Sequence, residues 1–221
     1  MAFPLPSLSL AQFAAEIAPL SPEPLSEAAV GALYAYYQEL ARWNEKLNLI
    51  GPGTAGEILA RHFGESLAAL PLLPAGARIG LDLGSGAGFP GLVLAAARPG
   101  LEMTLVEARE RKWAFLLAAA RRAALPCRCL NVRVQVPLPA GLPESLDVIT
   151  SRALRLDSET WAALAHRLGA EGRVLLWVGE QDPDLPPDLV ACGGVKLAGS
   201  ERRRVLALRL ASPGVREHDR A

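Results

Sequence analysis

The stretch LDLGSGAGFPG at 81–91 sets glycines at 84, 86, 88 and 91 directly behind a short apolar run, and no other feature constrains the fold as much. Clustered glycines let successive backbone N–H groups approach a ligand closely. A helix starting behind them adds partial positive charge. Strand, glycine loop and helix in that order form the first unit of a parallel sheet with crossover helices.

Two cofactor patterns overlap in this loop. Gly84, Gly86 and Gly88 make G-x-G-x-G with Asp82 two residues ahead, whereas Gly86, Gly88 and Gly91 make G-x-G-x-x-G, the dinucleotide fingerprint. The next apolar run ends in Glu107, roughly 20 residues further on, where a carboxylate can bind the ribose hydroxyls of either cofactor. Asp82 favours a methyl donor, S-adenosylmethionine, over NAD, because the strand before a dinucleotide loop is usually apolar to its end. Its carboxylate either braces the loop amides or meets the cofactor's ammonium group.

The hydrophobic pattern extends this unit into an α/β fold. Apolar runs at 78–83, 101–107, 128–134, 146–150, 172–178 and 204–210, with a weak one near 195–198, alternate with helical patterns at 89–97, 109–123 and 158–168. Val134 and Gln135 close the third run, and Arg152 follows the fourth, on the rim where ligands of such sheets sit. Residues 1–70 read as a helical extension packed on the core, and 71–221 as the core of what is overall one domain. Ser9 caps a short helix that stops before Pro19, and Ser26 opens a longer one carrying Val30, Leu33, Tyr37 and Leu40. T-A-G-E at 54–57 reads as a capping box for a third helix that buries Ile58, Leu59, Phe63, Leu67 and Leu70.

Composition narrows the chemistry. The 221 residues carry 23 Lys and Arg against 23 Asp and Glu, so broad electrostatic gripping of nucleic acid is not expected and any RNA contact must use local patches. The densest basic run, Arg202 to Arg204, suits RNA phosphates or the protection of an edge strand. Cys127, Cys129 and Cys192 include no C-x-x-C pair and read as free thiols. His62, His166 and His218 lie too far apart in chain character to build a triad or a metal site, and no metal is expected. His62 suits a hydrogen-bonded core position or a role in the reaction. Asn48 either caps its helix or touches substrate. Trp43 and Trp177 read as core, while Phe89 could stack on a base. No Lys or Arg precedes Arg42, and no apolar run approaches the roughly 20 residues of a membrane span, so a soluble, cytoplasmic protein is expected.

Several motifs taken together carry a resemblance: W-N-E-K-L-N-L at 43–49, R-H-F-G-E-S at 61–66, D-L-G-S-G-A-G-F-P-G at 82–91, V-E-A-R-E-R-K at 106–112, S-R-A at 151–153 and E-R-R-R-V-L-A-L at 201–208. The chain resembles the bacterial RsmG (GidB) methyltransferases, which use S-adenosylmethionine to methylate N7 of a guanine in 16S ribosomal RNA. The resemblance implies a Rossmann-like class I methyltransferase fold with a mostly parallel sheet and helices on both faces. It places Gly84 and Phe89 against the cofactor, with Val134 and Gln135 at its adenine, and the reading of the loop and second strand adds Asp82, Ser85, Gly86, Gly88 and Glu107 to the cofactor site. Arg152 contacts cofactor or substrate, and Asn48, His62 and Arg203 are candidates on the substrate side. The implied partner is 16S rRNA or the small ribosomal subunit, an assembly intermediate included, and a monomer is expected.

Three positions depart from the family pattern: Gln135 replaces an acid, Glu65 an aspartate and Val178 a lysine. They leave two alternatives, a methyltransferase for another RNA or a small molecule, and a degenerate homologue that acts in ribosome assembly. Guanine N7 attacks through a lone pair and no proton leaves it, so the expected reaction needs no general base. Alignment of the reacting atoms can supply about 7–11 kcal/mol.

Overall fold

The computed structural model describes residues 4–152, 156–180, 185–186 and 188–211. The strands are β1 (Ile79–Leu83), β2 (Glu102–Val106), β3 (Cys127–Leu130), β4 (Leu146–Arg152), β5 (Leu168–Val178), β6 (Leu189–Lys196) and β7 (Arg204–Leu210). They form one sheet in the order β3-β2-β1-β4-β5-β7-β6. The first five run parallel, β7 is antiparallel to β5, and β6 is antiparallel to β7. This is the strand order of Rossmann-like class I methyltransferases. Chain order reverses between β1 and β4, which opens a crevice at their carboxyl ends.

Alternation along the strands sorts the core into two layers. Leu81, Leu83, Ile149, Val174 and Leu176 face α7 (Ser158–Ala165) through Trp161 and Leu164. Met103, Leu105, Val148, Leu175 and Val205 face α5 (Gly91–Ala97) and α6 (Glu110–Arg122). The second layer continues without a break into α1 (Leu10–Ile17) and α2 (Glu27–Leu47), so the amino-terminal helices share a core with the sheet. Aromatic rings join them. Phe63 lies 5.7 Å from Phe13, 5.2 Å from Tyr36 and 5.1 Å from Phe89 between ring centroids.

The expected caps form at Ser9, which makes a capping box with Gln12, and at Ser26, which accepts from the Ala29 amide at 3.1 Å. The third helix differs from the sequence reading. It opens at Pro52 behind Gly51, where the missing proline N–H costs no bond, and the Thr54 hydroxyl turns to His62 at 2.9 Å instead of capping. Nor is it one regular helix: α3 (Pro52–Ala55) leads to a π-helical turn at Leu59–Gly64 and then α4 (Glu65–Leu67). Its five expected apolar residues are all buried.

The third strand also stops early, at Leu130 rather than 134. Its partner β2 ends at Val106, after which the Glu107 amide donates to the Leu130 carbonyl and the Glu107 carbonyl accepts from the Asn131 side chain. The weak run near 195–198 belongs to the longer β6, an edge strand mostly exposed, whose register on β7 shifts between Ala191 and Gly193. Among the described residues, no helix is long and apolar enough to cross a membrane.

Candidate cofactor and substrate site

A cavity of about 700 Å³ occupies the crevice at the carboxyl ends of β1, β2 and β4. The loop after β1 contributes Gly84, Ser85, Gly86 and Phe89, β2 ends at the cavity in Glu107, and the segment after β3 adds Val134 and Gln135. Arg152 closes the wall from the end of β4.

Two expected contacts lie beneath the loop rather than on the cavity. Asp82 is fully buried; it accepts from the Thr150 hydroxyl at 2.7 Å and the Gly91 amide at 3.3 Å. Burial pushes its carboxyl up to about 6, and the nearby Glu107 charge adds to this, against the hydrogen bonds from Thr150, Ser85 and Gly91. Of the two roles open to Asp82, this geometry realises the brace. Gly88 has φ +95°, and a Cβ there would stand 2.5 Å from Leu92 Cδ1 and 2.9 Å from the Tyr36 hydroxyl. It permits close packing of loop against helices.

Glu107 accepts from the Gly86 amide at 3.1 Å through one oxygen and from the Arg109 amide at 2.8 Å through the other. Each oxygen keeps a lone pair for a further donor. Val134 and Gln135 present an apolar side chain and an amide side by side in a loop, not at a strand end as their pattern implied.

The rim is built around Glu65, which is buried. Its Oε2 lies 2.8 Å from Arg152 Nη2, and its Oε1 lies 3.2 Å from Arg61 Nε and also holds Arg203 Nη1. Arg152 further donates to the Arg61 carbonyl at 3.0 Å, and Trp177 Nε1 donates to the Glu65 carbonyl at 2.8 Å. Burial lowers the pKa of Arg152, Glu65 opposes that shift, and Arg203 and Arg61 reinforce it. His62 packs against Phe89 at 5.1 Å, and burial lowers its pKa to about 3, with Arg152 and Arg61 adding to the effect. His62 is therefore neutral at physiological pH.

The other expected site residues fall outside the cavity. Asn48 is the left-handed cap of α2 at φ 47° and is exposed. Arg203 reaches Glu65 rather than the cavity wall. His166 sits on the surface of α7, and His218 and Ala153 lie outside the described residues. Trp43 packs on Phe115 at 5.9 Å, so both it and Trp177 serve the interior.

Sequence reasoning missed Tyr36, whose hydroxyl donates to the Ala87 carbonyl at 2.5 Å and so fixes the glycine loop from α2. Its spacing of three from Leu33 and four from Leu40 is the signal that could have marked it as buried beside Tyr37, but nothing local marks its partner. Leu49, Ile50, Lys112 and Asp157 in the wall were missed too; Asp157 had a visible signal as the N-cap before α7.

Comparison with known proteins places this architecture. A family model described as rRNA small subunit methyltransferase G, GidB, matches residues 30–185. The ribosomal RNA small subunit methyltransferase G of Desulfotalea psychrophila is 45% identical over 126 residues, covering 55% of this chain and 57% of that protein. That of Anaeromyxobacter sp. is 40% identical over 153 residues, covering 69% and 70%. The match thus spans little more than half the length of the first relative. In fold, the mitomycin 7-O-methyltransferase MmcR superposes with a TM-score of 0.52 at 16% identity, over 92% of this chain and 74% of that one. With a family model matched across more than half of its length, the chain belongs to the GidB family, described as rRNA small subunit methyltransferase G.

Proposed function

We propose that the protein uses S-adenosylmethionine to methylate N7 of a guanine in 16S ribosomal RNA, presented in the small subunit or in an assembly intermediate of it. The observation that carries this reading is convergence. Family motifs far apart in sequence, at Arg61 to Glu65, at Arg152 and at Arg203, meet on one rim beside the glycine-loop cavity.

The residues present fit the cofactor. Gly84 and Gly86 offer backbone without side chains, and a Cβ at Gly86 would have only Gly84 O at 3.6 Å and Lys112 Nζ at 4.0 Å nearby, so the space above it is open. Glu107 is the acceptor for ribose hydroxyls, Val134 and Gln135 the wall and polar edge for adenine, and Phe89 an apolar surface. When bound, S-adenosylmethionine supplies an electrophilic methyl group on a sulfonium centre. The chain's own contribution is to hold and align. Tyr36 and Asp82 fix the glycine loop, and neutral His62 adds no positive charge beside a base that becomes cationic as N7 is alkylated. No group here has to accept a proton from N7, so the work left to the chain is to align the reacting atoms.

The departures from the family pattern do not strip the site. Gln135 keeps a carbonyl able to accept from an adenine amino group. Val178 pairs in register with Arg204, so the neighbouring strand keeps Arg203 and Arg204 beside the position of the absent lysine.

The test is to map 16S rRNA methylation in a strain from which the gene has been deleted and in the same strain with the gene restored. One guanine is expected to lose its N7 methyl group and regain it. Calorimetry with S-adenosylhomocysteine tests the cofactor independently. An unchanged methylation map would sink the ribosomal substrate, and binding of NADH in place of S-adenosylhomocysteine would sink the cofactor.

A further inference from the structure

Arg61, Arg152 and Arg203 come from the π-helical turn, the end of β4 and the approach to β7, and all three use the one buried carboxylate of Glu65. Three positive charges against one negative leave a net excess of two, and no second carboxylate pairs with these arginines among the described residues. The arginines are only partly screened, since Arg61, Arg152 and Arg203 keep 35%, 22% and 25% of their side-chain surface exposed. The crowding of charge shows at Arg152, whose pKa is lowered by burial, raised in part by Glu65, and lowered further by Arg203 and Arg61. It also shows in hydrogen bonding: Arg152 Nη1 is buried without a partner.

Position separates this cluster from the cofactor cavity. Arg152 lines the cavity, whereas Arg61 and Arg203 stand outside its wall. Only Arg152 is shared between the cluster and the cavity, so an anion touching all three would lie at the cavity's edge rather than within it. Guanidinium forks match phosphate oxygens in pairs.

We infer that Arg61, Arg152 and Arg203 form a phosphodiester-binding site that holds the RNA strand beside the target base, with Glu65 as the positioning residue that gathers them. This inference rests on the RNA methyltransferase reading above. Glu65 acts before any substrate arrives: it keeps three like charges together and leaves their remaining N–H groups for a ligand.

The test uses the full chain and its Arg61→Gln and Arg203→Gln variants, with Arg203→Lys as a milder change that keeps charge and loses the fork. Each is loaded with S-adenosylhomocysteine and titrated with small ribosomal subunits from the deletion strain over a range of salt. Methyl transfer, S-adenosylhomocysteine calorimetry and thermal melting are measured alongside. Each glutamine variant is expected to weaken subunit binding about tenfold and to reduce the slope of log K against log salt by about 0.7–0.9. KM for subunits rises by a similar factor, more than kcat falls, and S-adenosylhomocysteine binds within about twofold of the original. The lysine variant retains the salt slope and recovers part of the affinity.

Variants that fold and bind subunits with unchanged affinity and slope overturn the site and leave the cluster as a strut between helices and sheet. Loss of S-adenosylhomocysteine affinity with subunit binding intact also overturns it, because the anion is then the cofactor's carboxylate. A parent protein that binds subunits through these arginines yet transfers no methyl group leaves the site standing and sinks the proposed reaction. A parent protein that does not bind subunits overturns the site as stated.

Discussion

Tyr36 and Ala87, 51 positions apart, are joined by a 2.5 Å hydrogen bond from the tyrosine hydroxyl to the loop carbonyl. The same ring packs 5.5 Å from Phe89 and 5.2 Å from Phe63. The amino-terminal helices therefore set the shape of the glycine loop directly. Tyr36→Phe keeps the ring and removes the bond, leaving a carbonyl short of a donor. It is expected to cost about 1–2 kcal/mol of stability and to weaken S-adenosylhomocysteine binding several-fold. Calorimetry and urea denaturation check this; unchanged cofactor affinity would detach α2 from the site.

Asp82 gives the fold a pH signature. Its folded pKa is raised from 3.8 to about 6, so the protonated acid is favoured in the folded state. That stabilisation is fully present below 3.8 and is lost as pH rises through about 6, after which the buried charge persists as a cost. Asp82→Asn removes the titration. The stability of the variant relative to the parent is expected to rise by about 3 kcal/mol between acidic and neutral pH. Urea denaturation across that interval decides it, and two parallel curves would refute the assignment.

His62 titrates in the opposite sense. Its folded pKa is lowered from 6.5 to about 3, so its contribution is fully present above 6.5 and is lost as pH falls toward 3. His62→Gln, which can still hydrogen-bond Thr54, should flatten the loss of stability below 6.5. In the parent protein the methyl-transfer rate should show no ionisation near the ordinary histidine value. A rate profile that bends there, and straightens in the glutamine variant, would assign His62 a charged role.

Gly88 and Gly86 are expected to respond differently to alanine. At Gly88 the new Cβ would meet Leu92 and the Tyr36 hydroxyl at under 3 Å, with φ at +95°. Gly88→Ala should cost roughly 2 kcal/mol or more, seen as a lower melting temperature. At Gly86 the φ of +57° is strained for alanine, but the nearest atom stands 3.6 Å away. Gly86→Ala should cost about 1–2 kcal/mol in stability and lose proportionally more cofactor affinity, because the methyl group projects into open space over the loop. Equal effects of the two substitutions on both measurements would contradict this division.

The parts of this molecule that were legible in its sequence are those governed by neighbours in the chain. Ser9 and Ser26 announced their helices, the run ending at Leu83 announced β1, and Gly84 to Gly91 announced the loop. What escaped depends on partners brought together by folding. Nothing around Val134 told that β3 would end at Leu130, because the ladder ends where β2 does. T-A-G-E looked like a capping box until His62 took the Thr54 hydroxyl. Glu65 and Arg203 each belonged to a motif, but their pairing spans 138 positions and has no local trace.

The pairing of Arg203 with Glu65 also sets an order of events during synthesis. The glycine loop and its helix are complete once β2 and β4 have emerged from the ribosome, whereas the rim lacks its third arginine until the segment before β7 is made. A nascent chain stopped before that point would carry the loop with β5 as a bare edge. The proposed acceptor surface is thus finished only after all five parallel strands have been translated.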